Sequence, residues 1–164
     1  MKTKCLIIIA SLLLGNNTYA IHHNENVPLS KSIHIIPQPL KLEQKSGAPF
    51  LLTPKTNIVF TEGLKPQAQY MQEVFARSTG WDLKTRQGKT KKGIFLSIDT
   101  IKVPKAEGYL MKVTEKHISI VAHDASGVFY GIQTLLQLLP PSIHSQTRQY
   151  DISWTVPPVC IEDA

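Results

Sequence analysis

Apolar residues alternate with polar ones in three stretches of the chain and recur at helical spacing in two others. Ile94, Leu96 and Ile98 fall on one face of an extended segment, as do Tyr109, Met111 and Val113, and then Ile118, Ile120 and Ala122. Glu115-Lys116 connects the last two as a short turn, without the Asn-Gly pair that tight hairpins prefer. Shorter strand-like pieces precede them at residues 40–42, 50–52 and 57–60. Residues 66–78 read as a helix: Pro66 suits the first turn, Ala68, Met71, Val74 and Phe75 recur at helical spacing, and Gly80 stops it. Strands, a helix, more strands and a second helix, with hairpin-linked strands late in the chain, predict an α+β layer fold.

The second helix follows Asp124, whose carboxylate suits an N-cap, and ends at Pro140. Val128, Ile132, Leu135 and Leu139 centre its apolar arc. Leu136 and Phe129 flank it on one side, and Leu138, Gly131 and Gly127 on the other. The arc spans roughly 200°, twice what a helix on a single sheet requires, so cover on more than one side is expected. Ser126, Tyr130, Gln133, Thr134 and Gln137 form the remaining polar strip. Each glycine costs about 0.8–1 kcal/mol against alanine inside a helix, which points to close backbone approach by a neighbour. Gly127 and Gly131 do not match the glycine spacing of a phosphate cradle.

The first residues have a different character. Lys2 and Lys4 precede the ten-residue apolar run 5–14, and Thr18-Tyr19-Ala20 offers small residues for cleavage, so residues 1–20 read as a signal peptide. The run is shorter than the roughly twenty residues of a membrane span, so none is expected. A mature chain from Ile21 would be exported, to the periplasm or outside a bacterial cell. Its 144 residues are enough for one domain with its own core. Residues 21–32 are polar and read as a flexible N-terminus. His22-His23 lies there with no further ligand beside it. Residues 33–39 (I-H-I-I-P-Q-P) are held extended by their prolines.

Removing Lys2 and Lys4 leaves 16 basic against 12 acidic residues. Residues 84–92 gather Lys84, Arg86, Lys89, Lys91 and Lys92 without an acid. With no interleaved aromatics this reads as a solvated loop, and no nucleic-acid partner is expected. Cys160 would be the single mature cysteine, a buried or inert thiol. His123, Asp124 and Ser126 resemble a catalytic trio in composition only. They lie within four residues at a strand-to-helix passage, whereas a triad converges from separate segments. The acids are scattered, and the adjacent pair Glu162-Asp163 falls at the end of the chain. Trp81 and Trp154 could stack on sugar rings, but Trp154 lies beside Pro157 and Pro158, where linker or interface packing is the better reading. No catalytic, cofactor-binding or metal-ligating residue is therefore assigned, and no cofactor is expected.

Residues 124–138 (D-A-S-G-V-F-Y-G-I-Q-T-L-L-Q-L) resemble the D-x-x-G-x-F-Y-G-x-Q-T-L-x-Q-L signature in the N-terminal domain of family-20 β-N-acetylhexosaminidases. Ile35-Ile36-Pro37-Gln38-Pro39 is similar to that domain's opening, and Glu107-Gly108-Tyr109 to its E-G-Y strand start. Residues 159–164 (V-C-I-E-D-A) are similar to the run-in to the catalytic barrel. The resemblance implies a mostly antiparallel sheet with helices on one face, spanning residues 33–155. Residues 156–164 would then begin a linker to a (β/α)8 barrel of the same polypeptide. In the family that barrel carries an aspartate-glutamate pair. The glutamate protonates the leaving oxygen, and the aspartate orients the substrate's acetamido group as internal nucleophile. Amino-sugar glycans would be engaged only through the barrel, which the resemblance places after residue 164. Two alternatives stay open: the related N-terminal domain of family-84 glucosaminidases, and a free-standing glycan- or protein-interaction module.

Overall fold

A computed structural model describes residues 33–163; the expected leader, the flexible N-terminus and His22-His23 lie outside the described residues. In chain order the elements are β1 (Lys41–Gln44), β2 (Phe50–Leu51), β3 (Ile58–Phe60), α1 (Lys65–Thr79), β4 (Thr85–Gln87), β5 (Gly93–Ile98), β6 (Tyr109–Val113), β7 (His117–Ala122), α2 (Ala125–Leu138), a 3-10 turn (Pro141–His144), β8 (Thr155–Val156) and β9 (Val159–Asp163). One seven-stranded sheet has the order β1-β9-β6-β7-β5-β3-β4, and β2 pairs with β8 separately. The sheet is mixed rather than mostly antiparallel. From β1 to β7 the neighbours run antiparallel, and from β7 to β4 they run parallel. The parallel half arises because helix α1 carries the chain from β3 back to β4, as a parallel neighbour requires.

Period-two alternation sets the core. Leu42, Ile161, Met111, Ile120, Leu96 and Phe60 lie opposite one another in a row across six strands. Ile58, Ile94, Ile118 and Val113 form a second row on the same face. Both helices pack there, α2 mainly over β7, β6 and β5, and α1 over β3 and β4. The other face carries Glu43, Cys160, Lys112, Ser119 and Phe95 in one row, a half-polar surface. Cys160 is a free, half-buried thiol on it.

The expected hairpin forms at Glu115-Lys116. Neither residue takes a positive φ, and the Thr114 hydroxyl reinforces the turn by donating to the His117 carbonyl at 3.0 Å. Helix α1 stops at Gly80, in the left-handed region at φ 72°, with its N–H donating to the Ala76 carbonyl.

Three further expectations are corrected. The basic segment 84–92 contains strand β4, an exposed edge whose polar residues give no apolar alternation to read. Residues 156–164 do not begin a linker: Val159 and Ile161 are buried, and β9 lies between β1 and β6. The prolines before it end the preceding segment without stopping the sheet, and the Pro158 carbonyl accepts the Lys45 N–H at 2.9 Å. Trp154, only 2% exposed, belongs to the core rather than to an interface.

Helix α2 reaches the sheet through its glycines. A methyl on Gly127 would overlap the Gly108 carbonyl oxygen and stand 2.9 Å from that of Glu107. A methyl on Gly131 would sit 2.6 Å from the Ile120 side chain. Alanine gains about 1 kcal/mol of helix propensity at either site, but overpacking costs about 1–3 kcal/mol. Backbone carbonyls fixed in a strand start cannot retreat, whereas an isoleucine methyl can. Gly127→Ala is therefore expected to lower unfolding free energy by about 1–2 kcal/mol, and Gly131→Ala by clearly less. Urea titration of the two variants checks the order, and equal or stabilising effects would refute close contact at Gly127.

Candidate functional site

The residues that look most like chemistry gather where α2 meets the start of β6. Asp124 caps the helix: one carboxylate oxygen accepts the Gly127 N–H at 2.9 Å and the other the Glu107 N–H at 3.0 Å. Those amide bonds hold its carboxyl below the usual aspartate range, the Gly127 bond most strongly. Glu107 needs this support, because it sits in the left-handed region at φ 64°. The His123 ring contacts the Val103 carbonyl through Nδ1 at 2.9 Å, and Ser126 is exposed. His123, Asp124 and Ser126 thus do not converge; the aspartate is occupied by backbone amides on both oxygens.

The next turns of α2 are consumed in the same way. Thr134, expected on the polar strip, is buried and shares a 2.6 Å hydrogen bond with the Tyr109 hydroxyl. Burial of Tyr109 pushes its hydroxyl above the usual phenol range, and the nearby Asp163 charge adds to this. Gln133 donates to the Tyr70 hydroxyl at 3.0 Å. Gln137 mimics a strand partner, accepting the Ile36 N–H at 2.9 Å and donating to the Ile36 carbonyl at 3.0 Å. The opening segment is therefore strapped to α2, a contact no local pattern announces. Phe129, expected within the apolar arc, is 38% exposed and tilts against Tyr70 with ring centres 5.3 Å apart.

Glu162 and Asp163 do not form a carboxylate pair. As consecutive strand residues they face opposite sides of the sheet, Asp163 opposite Tyr109 and Glu162 opposite Leu110. Asp163 accepts the Leu40 N–H at 3.3 Å. It also lines a groove of about 530 Å³ with Ile36, Glu107, Tyr130 and Gln133. Trp81 is half-buried against the core. Among the described residues, no three His, Cys, Asp or Glu side chains are placed to hold a metal ion. No described helix is long and apolar enough to cross a membrane.

The chemistry of Asp124 is thus that of a cap. Because its folded pKa is depressed, its contribution is present above the unfolded value and lost as pH falls through the folded one. Asp124→Ala is expected to cost about 1–2 kcal/mol at neutral pH, with the gap to wild type narrowing below the ordinary aspartate range. Chemical unfolding across pH tests this; a gap independent of pH would contradict it.

Comparison with known proteins fits this arrangement. Residues 32–164 match the family model described as glycosyl hydrolase family 20, domain 2. The chain is 37% identical over 136 residues to a beta-hexosaminidase of Porphyromonas gingivalis, covering 81% of this chain and 17% of that protein. It superposes on the GH20 beta-N-acetylhexosaminidase of Streptomyces coelicolor with a TM-score of 0.71 at 30% identity, covering 79% of this chain and 26% of that one. A mutant Streptomyces plicatus beta-hexosaminidase, solved in complex with its product GlcNAc, gives the same TM-score, identity and coverage. The chain thus spans between a sixth and a quarter of the length of these relatives. Of the two hydrolase families left open by the sequence, the match selects family 20. The chain belongs to glycosyl hydrolase family 20, whose domain 2 it contains.

Proposed function

We propose that this domain is the non-catalytic module of an exported β-N-acetylhexosaminidase, supporting a catalytic (β/α)8 barrel in the same polypeptide. The observation that carries this is the fate of the signature's polar groups. Asp124, Gln133, Thr134 and Gln137 all make hydrogen bonds inside the domain, which ties each of them to the fold. Beside them stand exposed apolar side chains. Tyr130 is 45% exposed, and it lines the groove with Ile36 and Asp163, beside the last described residue of β9. A barrel following β9 would meet this surface first.

The relatives are beta-hexosaminidases, and one holds GlcNAc as product. On this reading the parent enzyme releases terminal N-acetylglucosamine or N-acetylgalactosamine. An aspartate-glutamate pair of the barrel would work with the substrate's acetamido group as internal nucleophile, giving retention. Export rests on Lys2, Lys4, the apolar run 5–14 and Thr18-Tyr19-Ala20.

The purified 164-residue chain is expected to leave a chromogenic N-acetylglucosaminide intact, while a polypeptide extended through the barrel hydrolyses it. Turnover by the short chain would overturn the proposal. Without a barrel on its groove the domain should also self-associate as concentration rises, and Ile36→Ser with Tyr130→Ser should suppress this. Sedimentation of the two proteins decides it, a strictly monomeric wild type counting against the assigned surface. For export, the N-terminus recovered from an expressing bacterium should begin near Ile21.

A further inference from the structure

We propose that the cleft ringed by Lys55, Lys92 and Lys116 binds an anionic polysaccharide, one bearing sulfate or carboxylate groups. The sequence spreads these lysines over three segments, and the fold brings the segments together at the starting ends of the parallel strands β3, β5 and β7. The cleft measures about 460 Å³ and is lined as well by Thr53, Asn57 and Thr90. Glu115 is the one carboxylate on its lining. All three lysines are exposed, and the ion pairs among the described residues, Lys45–Glu43 and Lys102–Asp99, do not involve them. Lys84, also exposed, precedes the edge strand β4 at the same end of the sheet, its carbonyl accepting the Ile58 N–H at 2.9 Å.

The rim is held in place by the backbone. The Gly93 N–H donates to the Lys116 carbonyl at 2.9 Å and the Ile94 N–H to the Asn57 carbonyl at 3.0 Å, tying the three loops together. Gly93 has φ 76°, and a side chain there would come 2.6 Å from the Asn57 carbonyl oxygen, so the junction demands glycine. The Thr90 hydroxyl fixes its own turn by donating to the Lys92 carbonyl at 2.8 Å. A rigid row of like charges, far from the end of the sheet where Asp163 lies, is a surface for a polyanion that leaves the Tyr130 groove open.

The class of polyanion follows from what accompanies the charge. Lysine is a point charge that accepts varied spacings of sulfate or carboxylate, unlike the paired fork of arginine. Leu51 is the large exposed apolar residue on the cleft, too little for an interfacial helix or wedge to enter a bilayer. Phe50, the aromatic on the lining, is buried, so stacking on nucleobases is not offered. The choice of a glycan rests on the hexosaminidase reading above, in which the parent enzyme acts on amino-sugar glycans.

The test is fluorescence anisotropy of labelled chondroitin sulfate with the full chain, checked for folding by circular dichroism. Binding should weaken as salt is added, since exposed charges are screened within about 10 Å at moderate ionic strength. Reversing the rim with Lys55→Glu, Lys92→Glu and Lys116→Glu should weaken it by about tenfold or more, and the three Lys→Gln changes by less. Reversing Lys41, Lys65 and Lys102 at the opposite end, an equal change in net charge, should alter it by no more than about twofold. Equal losses in both sets, no binding at low salt, or preference for phosphatidylglycerol vesicles over the polysaccharide would each overturn the proposal. Failure of the hexosaminidase reading shows separately, as absence of N-acetylglucosaminide hydrolysis by the barrel-containing polypeptide.

Discussion

The domain depends on how closely helix α2 can approach the strand start at Glu107-Gly108-Tyr109. Gly127 lies against two backbone carbonyls, and Asp124 one turn earlier holds the Glu107 amide while capping its own helix. These contacts fix the helix at one end, and Gly131 lets the next turn lie on Ile120 and Tyr109. The buried hydroxyl pair of Tyr109 and Thr134 then sets the rotation of the helix about its axis. At Gly127 the approach is backbone to backbone and leaves no room for a methyl, while at Gly131 the neighbours are the side chains of Ile120 and Tyr109. That is why two residues poor for a helix sit inside one.

That same economy of contact explains why a segment rich in His, Asp, Ser and Gln is architectural. A carboxylate with both oxygens on backbone amides, and glutamines bridging to Tyr70 and Ile36, have their hydrogen-bonding capacity turned inward. The two ends of the sheet divide the opportunities. One carries the Tyr130 groove beside Asp163, with a mostly apolar rim. The other carries the lysine rim, held by Gly93.

Much of the fold was legible in local pattern. β6 and β7 alternate cleanly because one face is packed and the other half-solvated. β5 does so only as far as Leu96, beyond which Ser97 is buried and the expected core residue Ile98 is exposed. Both helices announce their ends with Gly80, Asp124 and Pro140. β4 left no such trace, since an edge strand of Thr85, Arg86 and Gln87 buries little. β9 carried the alternation of Val159 and Ile161, but the prolines before it read more strongly as a linker. The parallel half of the sheet was invisible as well, because parallel pairing joins segments that no short turn connects.

For the candidate site, the residue types and their spacing along α2 were enough to exclude a triad and a phosphate cradle, and to mark the helix as one covered on more than one side. Those conclusions rest on the helical period and on the cost of glycine, which are local properties. Which polar residues would be buried was not local. Thr134 lies inside only because Tyr109 arrives from another strand, and Gln137 is engaged only because Ile36 crosses it. The lysine rim likewise exists only where Asn57, Gly93 and Lys116 meet. The sequence by itself determined the two helices, the strands β5 to β7 and most of the face each one buries. The tertiary structure alone decided which side chains from distant segments share a place, because that follows from sheet order and not from spacing along the chain.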